Sequence, residues 1–277
     1  MSDDSESLKE QSLNFYMKVK RVQCEMIADR KTPSNSEYDL TSARMIIKTE
    51  DAGYQLSLDG KAYYTDEEQI IFNPLLSIED FENYYVGILE ETPHFQPRYL
   101  SAVYYSEDKE STIAVIYLER EKSKEDKTDK VKIAEFRPIQ QFCLDYPEIE
   151  NLIIISPSTL CTDPNKEFQL IRNSFKATKK GSCQFFLESE LKINPSYHIT
   201  VPKYIRLTEE EKIKFLRDSN VTVTNLKELK TEDIIVRYFG FLEGDLIKIL
   251  RRNAFPVTVI SEYSIDVKRV TVTLVPI

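Results

Sequence analysis

Hydrophobic and polar positions along the chain predict a mixture of helices and strands. Residues 8–30 carry apolar side chains at close to helical spacing, which predicts one amphipathic helix. The next apolar stretch, TSARMIIK, fits either a short helix or the start of a strand. Residues 51–69 alternate like a hairpin, and residues 75–89 repeat apolar positions like a helix.

The middle of the chain has the pattern of a buried α/β unit. The stretch SAVYYSEDKESTIAVIYLER places two apolar runs around a polar SEDKES, which predicts a β-hairpin. A densely charged run, residues 119–132, predicts a solvated loop. The helix predicted over Phe136–Leu144 precedes a strand, Leu152–Ile155, that is apolar enough to be internal. A helix start before Pro164 then completes a strand flanked by two helices, which indicates parallel crossover topology.

The entry into the last third of the chain has a predicted shape. Thr208 and Glu211 have the spacing of a capping box, so a helix should begin there. Pro202 lacks a backbone donor and restricts Val201, so the segment from His198 to Arg206 is expected to be a stiff extended connection.

The remaining C-terminal pattern predicts a small α+β domain. A short helix should be capped by Thr231 and end at Gly240, followed by a turn through Gly244 and a strand over Leu246–Arg251. The later segments VTVI, EYSIDV and VTVTLV are rich in β-branched residues and predict further strands. Two short helices beside a small sheet are therefore expected.

Charge and length favour two domains. Of 277 residues, positions 1–195 carry 24 basic against 35 acidic side chains, a balance of −11, whereas positions 196–277 carry 13 against 11, a balance of +2. We therefore predict an α/β domain over 1–195 and an α+β domain over 196–277. The net charge of −9 argues against strong independent binding to nucleic acid, which needs a basic surface. No apolar run reaches the roughly 18 residues of a membrane span, and the acidic start is unlike a secretory signal, so we expect a protein inside the cell.

The residues needed for catalysis or cofactor binding are scarce. Only His94 and His198 could act as imidazole bases, and neither has the sequence context of a triad. With six glycines and no phosphate-binding fingerprint, a nucleotide cofactor is not expected. The cysteines form no CxxC pair, so buried reduced thiols are expected at Cys24, Cys143, Cys161 and Cys183. An E-x-K fragment, residues 125–127, falls in the charged loop, and no metal site is predicted there.

Two motifs in the last third resemble the fifth subunit shared by eukaryotic RNA polymerases I, II and III, whose C-terminal domain corresponds to a small subunit of archaeal RNA polymerase. The family segment N-x-x-x-H-x-L-V-P-x-H, which a polar helix start follows, is matched from Asn194 to Lys203 and then by residues 207–212. The family hallmark D-P-V-A-R-Y-x-G-x-x-x-G-x-x-V-K-I-x-R is matched between Asp233 and Arg251. The candidate site residues that these motifs supply are His198, Val201, Pro202, Lys203, Arg237, Tyr238, Gly240, Gly244, Lys248 and Arg251.

The N-terminal part resembles the same family more faintly. The segment MIADRK, residues 26–31, is similar to the family's M-L-x-D-R-G-Y helix end, and the elements between residues 134 and 168 follow the family's order. In the family this part is the jaw domain, a degenerate relative of the restriction-endonuclease fold that lies near downstream DNA. The resemblance therefore implies an α/β unit without active-site residues.

Several positions depart from the family pattern. Tyr204 replaces the last His of the first motif, Ile234 replaces Pro, and Lys31-Thr32 replaces Gly-Tyr. The L-P-R-I element has become residues 226–229, and residues 48–110 have the character of inserted or heavily altered material. These differences suggest a divergent lineage, such as a virus that encodes its own polymerase.

The resemblance implies a non-catalytic polymerase subunit that needs no cofactor or metal. Its C-terminal domain would dock on the largest polymerase subunit among the core subunits, and its jaw would lie near downstream duplex DNA. Arg237, Lys248 and Arg251 are the preferred interface candidates, whereas the glycines and Pro202 would set backbone geometry. The chain would accompany its polymerase in the nucleus, or in a viral factory or virion if a virus encodes it. A free transcription adaptor and a metal-dependent nuclease are the alternatives.

Overall fold

A computed structural model describes residues 2–32, 34–49, 53–56, 97–118, 136–157, 171–173, 181–251 and 269–274. The chain divides into two compact units: an N-terminal unit of residues 1–32 and 36–193, and a C-terminal unit of residues 194–277 with which residues 33–35 are grouped. The change from acidic to weakly basic composition near residue 195 therefore lies close to a change of structural unit.

The N-terminal unit begins with a long helix, α1, Ser2–Asp29. The helix predicted over residues 8–30 is confirmed, and it starts several residues earlier than the apolar pattern indicates. Val19, Met26 and Ile27 are buried at helical spacing, so one stripe of α1 faces the core. At its end the buried Arg30 donates from Nη2 to Gln184 Oε1 at 2.5 Å, which ties the end of the helix to the sheet.

Where the chain is described, the sheet of this unit has six strands in the spatial order β2-β1-β3-β4-β5-β6. The strands are β1 Tyr38–Thr49, β2 Gly53–Leu56, β3 Ala102–Ser106, β4 Thr112–Tyr117, β5 Asn151–Ser156 and β6 Cys183–Leu187. The pairs among β2, β1, β3 and β4 are antiparallel, whereas β4, β5 and β6 run parallel. A second described helix, α2, Phe136–Asp145, lies between β4 and β5 along the chain, as expected for a parallel crossover.

Most predicted elements of this unit are confirmed where the chain is described. The stretch TSARMIIK belongs to β1, which resolves the open choice in favour of a strand. The predicted hairpin is β3 with β4, and the predicted internal strand is β5, which lies between β4 and β6. Within the region 48–110, β2 and β3 belong to the sheet. The predicted helix at 75–89, the charged loop at 119–132 and the helix start before Pro164 lie outside the described residues.

Helices cover both faces of the sheet. One face carries Ala114 and Ile116 of β4 into an apolar cluster with Ile139 and Phe142 of α2. The next residue of β4, Tyr117, points to the other face, because successive side chains of a strand alternate. There Tyr117 lies beside Lys20 of α1. The described part of the unit is therefore an α/β arrangement of three layers.

A buried polar cluster lies between α1 and the sheet. Lys20 Nζ donates to Gln23 Oε1 at 2.7 Å, to the Leu100 carbonyl at 2.9 Å and to the Tyr104 hydroxyl at 2.9 Å. It also lies 5.6 and 5.8 Å from the ring centroids of Tyr104 and Tyr117. Burial lowers the pKa of the Lys20 ammonium to about 8. Sequence spacing places Lys20 within the helix but gives no sign that it is buried.

The described residues of the C-terminal unit form a four-stranded sheet with two helices. Its elements are β7 Lys203–Arg206, α3 Glu209–Ser219, β8 Lys227–Glu228, α4 Ile234–Phe239, β9 Leu246–Arg251 and β10 Arg269–Leu274. The spatial order is β7-β9-β10-β8, and only the pair of β10 with β8 is parallel. Val236, Phe241, Ile247 and Ile249 form the core between α4 and the sheet. The predicted C-terminal strand VTVTLV is β10, whereas VTVI and EYSIDV lie outside the described residues.

Helix caps in this unit confirm one prediction and correct another. The Thr208 hydroxyl accepts from the Glu211 amide at 3.3 Å while the Glu211 carboxylate accepts from the Thr208 amide at 2.9 Å, so the capping box is present. The predicted cap at Thr231 is wrong. The Asp233 carboxylate accepts from the Ile235 amide at 2.8 Å and caps α4, because a turn closed by the Asp233 amide and the Lys230 carbonyl delays the helix.

The predicted extended segment is shorter than expected. From His198 the chain makes a turn in which the Val201 amide donates to the His198 carbonyl at 2.9 Å, and strand geometry begins only at Lys203. The polar groups of the preceding residues satisfy one another locally, which favours turns over extension. None of the helices among the described residues is both long and apolar enough to cross a membrane.

Two of the four predicted buried thiols are confirmed. Cys24 and Cys183 are buried, and burial raises the pKa of both thiols. Cys143 is half-buried, and Cys161 lies outside the described residues.

Candidate docking surface of the C-terminal unit

The first predicted motif begins with a short 3-10 turn, Pro195–Tyr197, which Asn194 organises. The buried Asn194 side chain accepts through Oδ1 from the Ser196 amide at 2.8 Å and from the Ser196 hydroxyl at 2.7 Å. Pro195 at the first position of the turn fixes one backbone torsion. The turn is therefore held in one conformation by local bonds.

His198 follows this turn at the surface. Its Nδ1 lies 2.7 Å from the Thr200 hydroxyl, so one ring nitrogen of this exposed imidazole is hydrogen-bonded to a residue two positions away. Among the described residues, no group of three His, Cys, Asp or Glu side chains is placed to hold a metal ion.

The second motif is the helix α4 and the turn that follows it. Arg237 lies in the last turn of α4, where it donates from Nε to the Glu232 carbonyl at 3.1 Å. Tyr238 is fully buried, so its place in the motif is explained by packing and not by contact with a partner. Gly240 caps the helix at φ +65°, a left-handed conformation that glycine adopts without strain. Helix α4 also packs against the Pro195–Tyr197 turn, so the structure brings the two motifs together.

An ion pair between Arg206 and Asp245, which are not among the matched motif residues, stabilises the turn between α4 and β9. Arg206 of β7 donates from Nη2 to the Gly240 carbonyl at 2.5 Å, and its Nε lies 2.8 Å from Asp245 Oδ2. The same Asp245 oxygen accepts from the Leu242 amide at 2.7 Å. The Arg206 guanidinium also lies 5.5 Å from the centroid of the Phe241 ring. The sequence shows that Arg206 and Asp245 carry opposite charges, but residues nearly 40 positions apart give no local signal that they pair.

Electrostatics explain why this pair matters for the turn. Burial raises the pKa of the Asp245 carboxyl, and the nearby Arg206 and the Leu242 amide oppose that rise because they favour the charged form. Gly244 adopts φ +91° in the same turn, and Lys212 of α3 donates to its carbonyl at 3.1 Å. Both motif glycines therefore adopt a positive φ, which glycine accepts without strain.

The remaining predicted cations lie on the sheet. Lys203 of β7 stands opposite Leu250, and Lys248 of β9 stands opposite Ile205, so both lysines project from the same face. The other face, which includes Ile247 and Ile249, packs against α4. Lys203 is exposed and Lys248 half-buried. The backbone of Arg251 pairs with that of Arg269.

Arg206→Ala is expected to loosen the turn between α4 and β9. Removing one member of a partly buried ion pair leaves the other charge without compensation, which should cost about 2 kcal/mol of local stability. Without Arg206 the pKa of the folded Asp245 carboxyl rises further, so at pH values between the unfolded and the folded pKa the folded variant binds a proton that the unfolded chain has lost. Protonation removes the uncompensated charge. The loss of stability in the variant should therefore shrink as pH falls through this raised folded pKa.

Hydrogen exchange of the full chain measures this effect in peptides that cover residues 234–251. The exposed Lys214→Ala in α3 serves as a control, and we expect its exchange to match the wild type. Equal protection of residues 234–251 in Arg206→Ala and wild type would show that the pair does not hold the turn.

Comparison with known proteins places the C-terminal unit in a family. Residues 193–260 match the family described as RNA polymerase Rpb5, C-terminal domain. The matched range runs from the Pro195–Tyr197 turn through β9, and it contains all ten candidate residues.

Individual relatives agree with this match. The chain is 38% identical over 77 residues to the DNA-directed RNA polymerases I, II, and III subunit of Dictyostelium discoideum, covering 28% of this chain and 39% of the relative. It is 35% identical over 72 residues to the corresponding subunit of Caenorhabditis elegans, covering 26% and 34%. The match therefore spans less than half the length of these relatives.

A longer and weaker similarity extends beyond the C-terminal unit. The chain is 25% identical over 201 residues to the DNA-directed RNA polymerase V subunit 5A of Arabidopsis thaliana, covering 73% of this chain and 79% of the relative. An alignment of that length exceeds residues 194–277 and must include part of the N-terminal unit. The resemblance to the fifth RNA polymerase subunit is confirmed: the chain is Rpb5-like, and residues 193–260 match the Rpb5 C-terminal domain.

Proposed function

We propose that this chain is a non-catalytic subunit of a multi-subunit DNA-directed RNA polymerase. The observation that carries the proposal is the coincidence of the matched residues 193–260 with a compact structural unit. Within that unit the matched Gly240 and Gly244 occupy the two left-handed backbone positions that end α4 and precede β9.

The C-terminal unit would contribute to assembly of the polymerase by docking on its largest subunit. Arg237, Lys248 and Arg251 are the cations that we propose for this interface, because charge-assisted hydrogen bonds to carboxylates and carbonyls of a partner are strong and directional. His198 would border this interface. Because Lys203 and Lys248 project from the sheet face opposite α4, an interface that also includes Arg237 would wrap around the edge of the sheet. Val201 and Pro202, both half-buried, would set the path of the chain into β7.

The N-terminal unit would act as the jaw near downstream DNA. Its three-layer α/β arrangement fits a degenerate nuclease-like fold, and the long alignment to the polymerase V subunit extends into it. Because residues 1–195 have a balance of −11, a contact with duplex DNA would be local and would depend on neighbouring basic subunits. The chain would then be found where its polymerase is: in the nucleus of a cell, or in a viral factory or virion.

Sedimentation of an extract from the native cells tests this proposal against a free adaptor. We expect the chain to sediment with the largest polymerase subunit, with little material at the position of a 32.4 kDa protein. An adaptor with the same domains would instead leave a large slow-sedimenting pool. Finding most of the chain in that pool would contradict the subunit assignment.

A further inference from the structure

Two cysteines of the N-terminal unit enter the same apolar layer from different elements. Cys143 lies one helical turn after the buried Ile139 in α2, so both side chains lie on the face of the helix that packs on the sheet. Cys183 begins β6 opposite Leu152 of β5, and paired residues of neighbouring strands project from the same face of a sheet. The apolar cluster between α2 and the sheet contains Ile139, Leu152 and Cys183, and Cys143 packs against it. The two thiols therefore approach one cluster from the helix and from the sheet.

Cys143 also affects the ionisation of Cys183. Burial raises the pKa of the Cys183 thiol, and a negative charge on Cys143 raises it further. The Arg172 guanidinium opposes this rise because it favours the thiolate. Electrostatic effects between side chains weaken with distance, so Cys143 lies near Cys183 within the layer that they share.

The two cysteines differ in their access to solvent. Cys143 is half-buried at the border of the cluster, whereas Cys183 is only 5% exposed. Oxidation of cysteine depends on access and on thiolate character, so an oxidant in solution reacts first with Cys143. Cys183 stays protonated and shielded until Cys143 has reacted. An accessible cysteine beside a second, shielded cysteine is the arrangement in which a sulfenic acid is converted to a disulfide.

We propose that Cys143 and Cys183 form a reversible disulfide when the chain meets a hydroperoxide, and that this bond links α2 to β6. In the first step the Cys143 thiolate attacks one oxygen of hydrogen peroxide, the O–O bond breaks, and the released hydroxide takes up a proton to become water. In the second step the Cys183 sulfur attacks the sulfenic sulfur of Cys143, the S–O bond breaks, and the hydroxyl leaves as water with the Cys183 proton. The two sulfurs are oxidised and the peroxide is reduced, and a dithiol such as dithiothreitol reverses the change.

The bond would stabilise the N-terminal unit. It closes a loop from residue 143 to residue 183, and a loop of that length strongly restricts the unfolded chain. The unfolding temperature of this unit should therefore rise by about 10 °C on oxidation. This inference goes beyond the proposed function and holds whether or not the chain joins a polymerase.

Peroxide treatment of the purified full chain without denaturant tests the proposal. The remaining thiols are blocked with N-ethylmaleimide, and the chain is digested without reduction and analysed by mass spectrometry. We expect one linked pair of peptides, containing residues 143 and 183, that dithiothreitol separates. A disulfide requires a defined approach of two Cβ atoms, so a link formed in the folded chain reports directly on the packing of α2 against β6.

Two single variants provide the controls, with unfolding followed by circular dichroism before and after peroxide treatment. Cys143→Ser should abolish both the linked peptides and the rise in unfolding temperature. Cys24→Ser is the matched control, because Cys24 is also buried but lies in α1, which covers the opposite face of the sheet. It should leave the link and the peroxide-dependent rise unchanged.

Several results would overturn the proposal. Retention of both thiols after treatment, or oxidation of Cys143 without a link to Cys183, would show that the two sulfurs do not meet. A link of Cys143 to Cys161 or to a second chain would assign it a different partner. An equal rise in unfolding temperature in Cys143→Ser and wild type, or no rise in a linked wild-type chain, would show that the bond does not stabilise the unit.

Discussion

Gly181→Ala is expected to destabilise the N-terminal unit by about 3 kcal/mol or more, at the upper end of what overpacking costs. A Cβ at position 181 would overlap the carbonyl oxygen of Glu150, which immediately precedes β5. The backbone there has little freedom to move, because the Leu152 amide donates to the Ser182 carbonyl at 2.8 Å and the Asn151 side chain accepts from the Ser182 amide at 3.0 Å. Glycine at 181 therefore permits a close approach of two backbones.

Gly244→Ala provides the contrast for this prediction. A Cβ at position 244 would meet nothing within 4 Å, so the only penalty is the positive φ, roughly 1 kcal/mol. Urea denaturation and hydrogen exchange of peptides that cover β5 and β6 measure the loss in each variant. If Gly181→Ala kept wild-type protection in β5 and β6, the close packing of the Gly181 and Glu150 backbones would be refuted.

Lys20 is expected to make the stability of the N-terminal unit increase with pH above about 8. Burial holds the pKa of Lys20 at about 8, below its ordinary value of 10.5, so between these values the unfolded chain binds a proton that the folded unit has released. Unfolding becomes harder as the pH rises through this window. A difference of 2.5 pKa units corresponds to about 3 kcal/mol at most.

Comparison with Lys20→Met isolates this contribution. Burial raises the pKa values of Cys24 and Tyr117, so these groups favour the folded state less as the pH rises and act in the opposite direction. Both groups are present in the two proteins, and the difference in unfolding free energy between wild type and variant removes most of their effect. Urea denaturation followed by circular dichroism at pH 7, 8, 9 and 10 gives that difference. A difference independent of pH would mean that Lys20 is solvated and that α1 does not cover it.

The elements that sequence predicted correctly are those governed by local rules. The apolar spacing of α1, the alternation in β3 and β4, and the β-branched run of β5 each reflect contact with one neighbouring layer. The capping box at Thr208 involves residues three positions apart. Gly240 could be assigned as a helix stop because its conformation depends on the chain immediately around it.

The features that sequence missed depend on residues far apart in the chain. Arg206 with Asp245, Lys20 with Tyr104, and Gly181 with Glu150 become neighbours only through sheet pairing and helix docking. The cap of α4 was placed two residues early, at Thr231, because both Thr231 and Asp233 are good cap residues and the choice depends on the preceding turn. Of the candidate site, the motif glycines and Arg237 are found by resemblance, whereas the pairing of Arg206 with Asp245 becomes visible only in the structure.

The most direct test of the central claim is affinity purification of the tagged full chain from its native cells at high salt, followed by mass spectrometry of the bound proteins. High salt removes weakly attached regulators but leaves the apolar and buried contacts of a stable assembly. If the chain is a polymerase subunit, the two largest polymerase subunits will be recovered with it at near equal stoichiometry. Recovery of the chain alone, or of regulators without those two subunits, would contradict the claim.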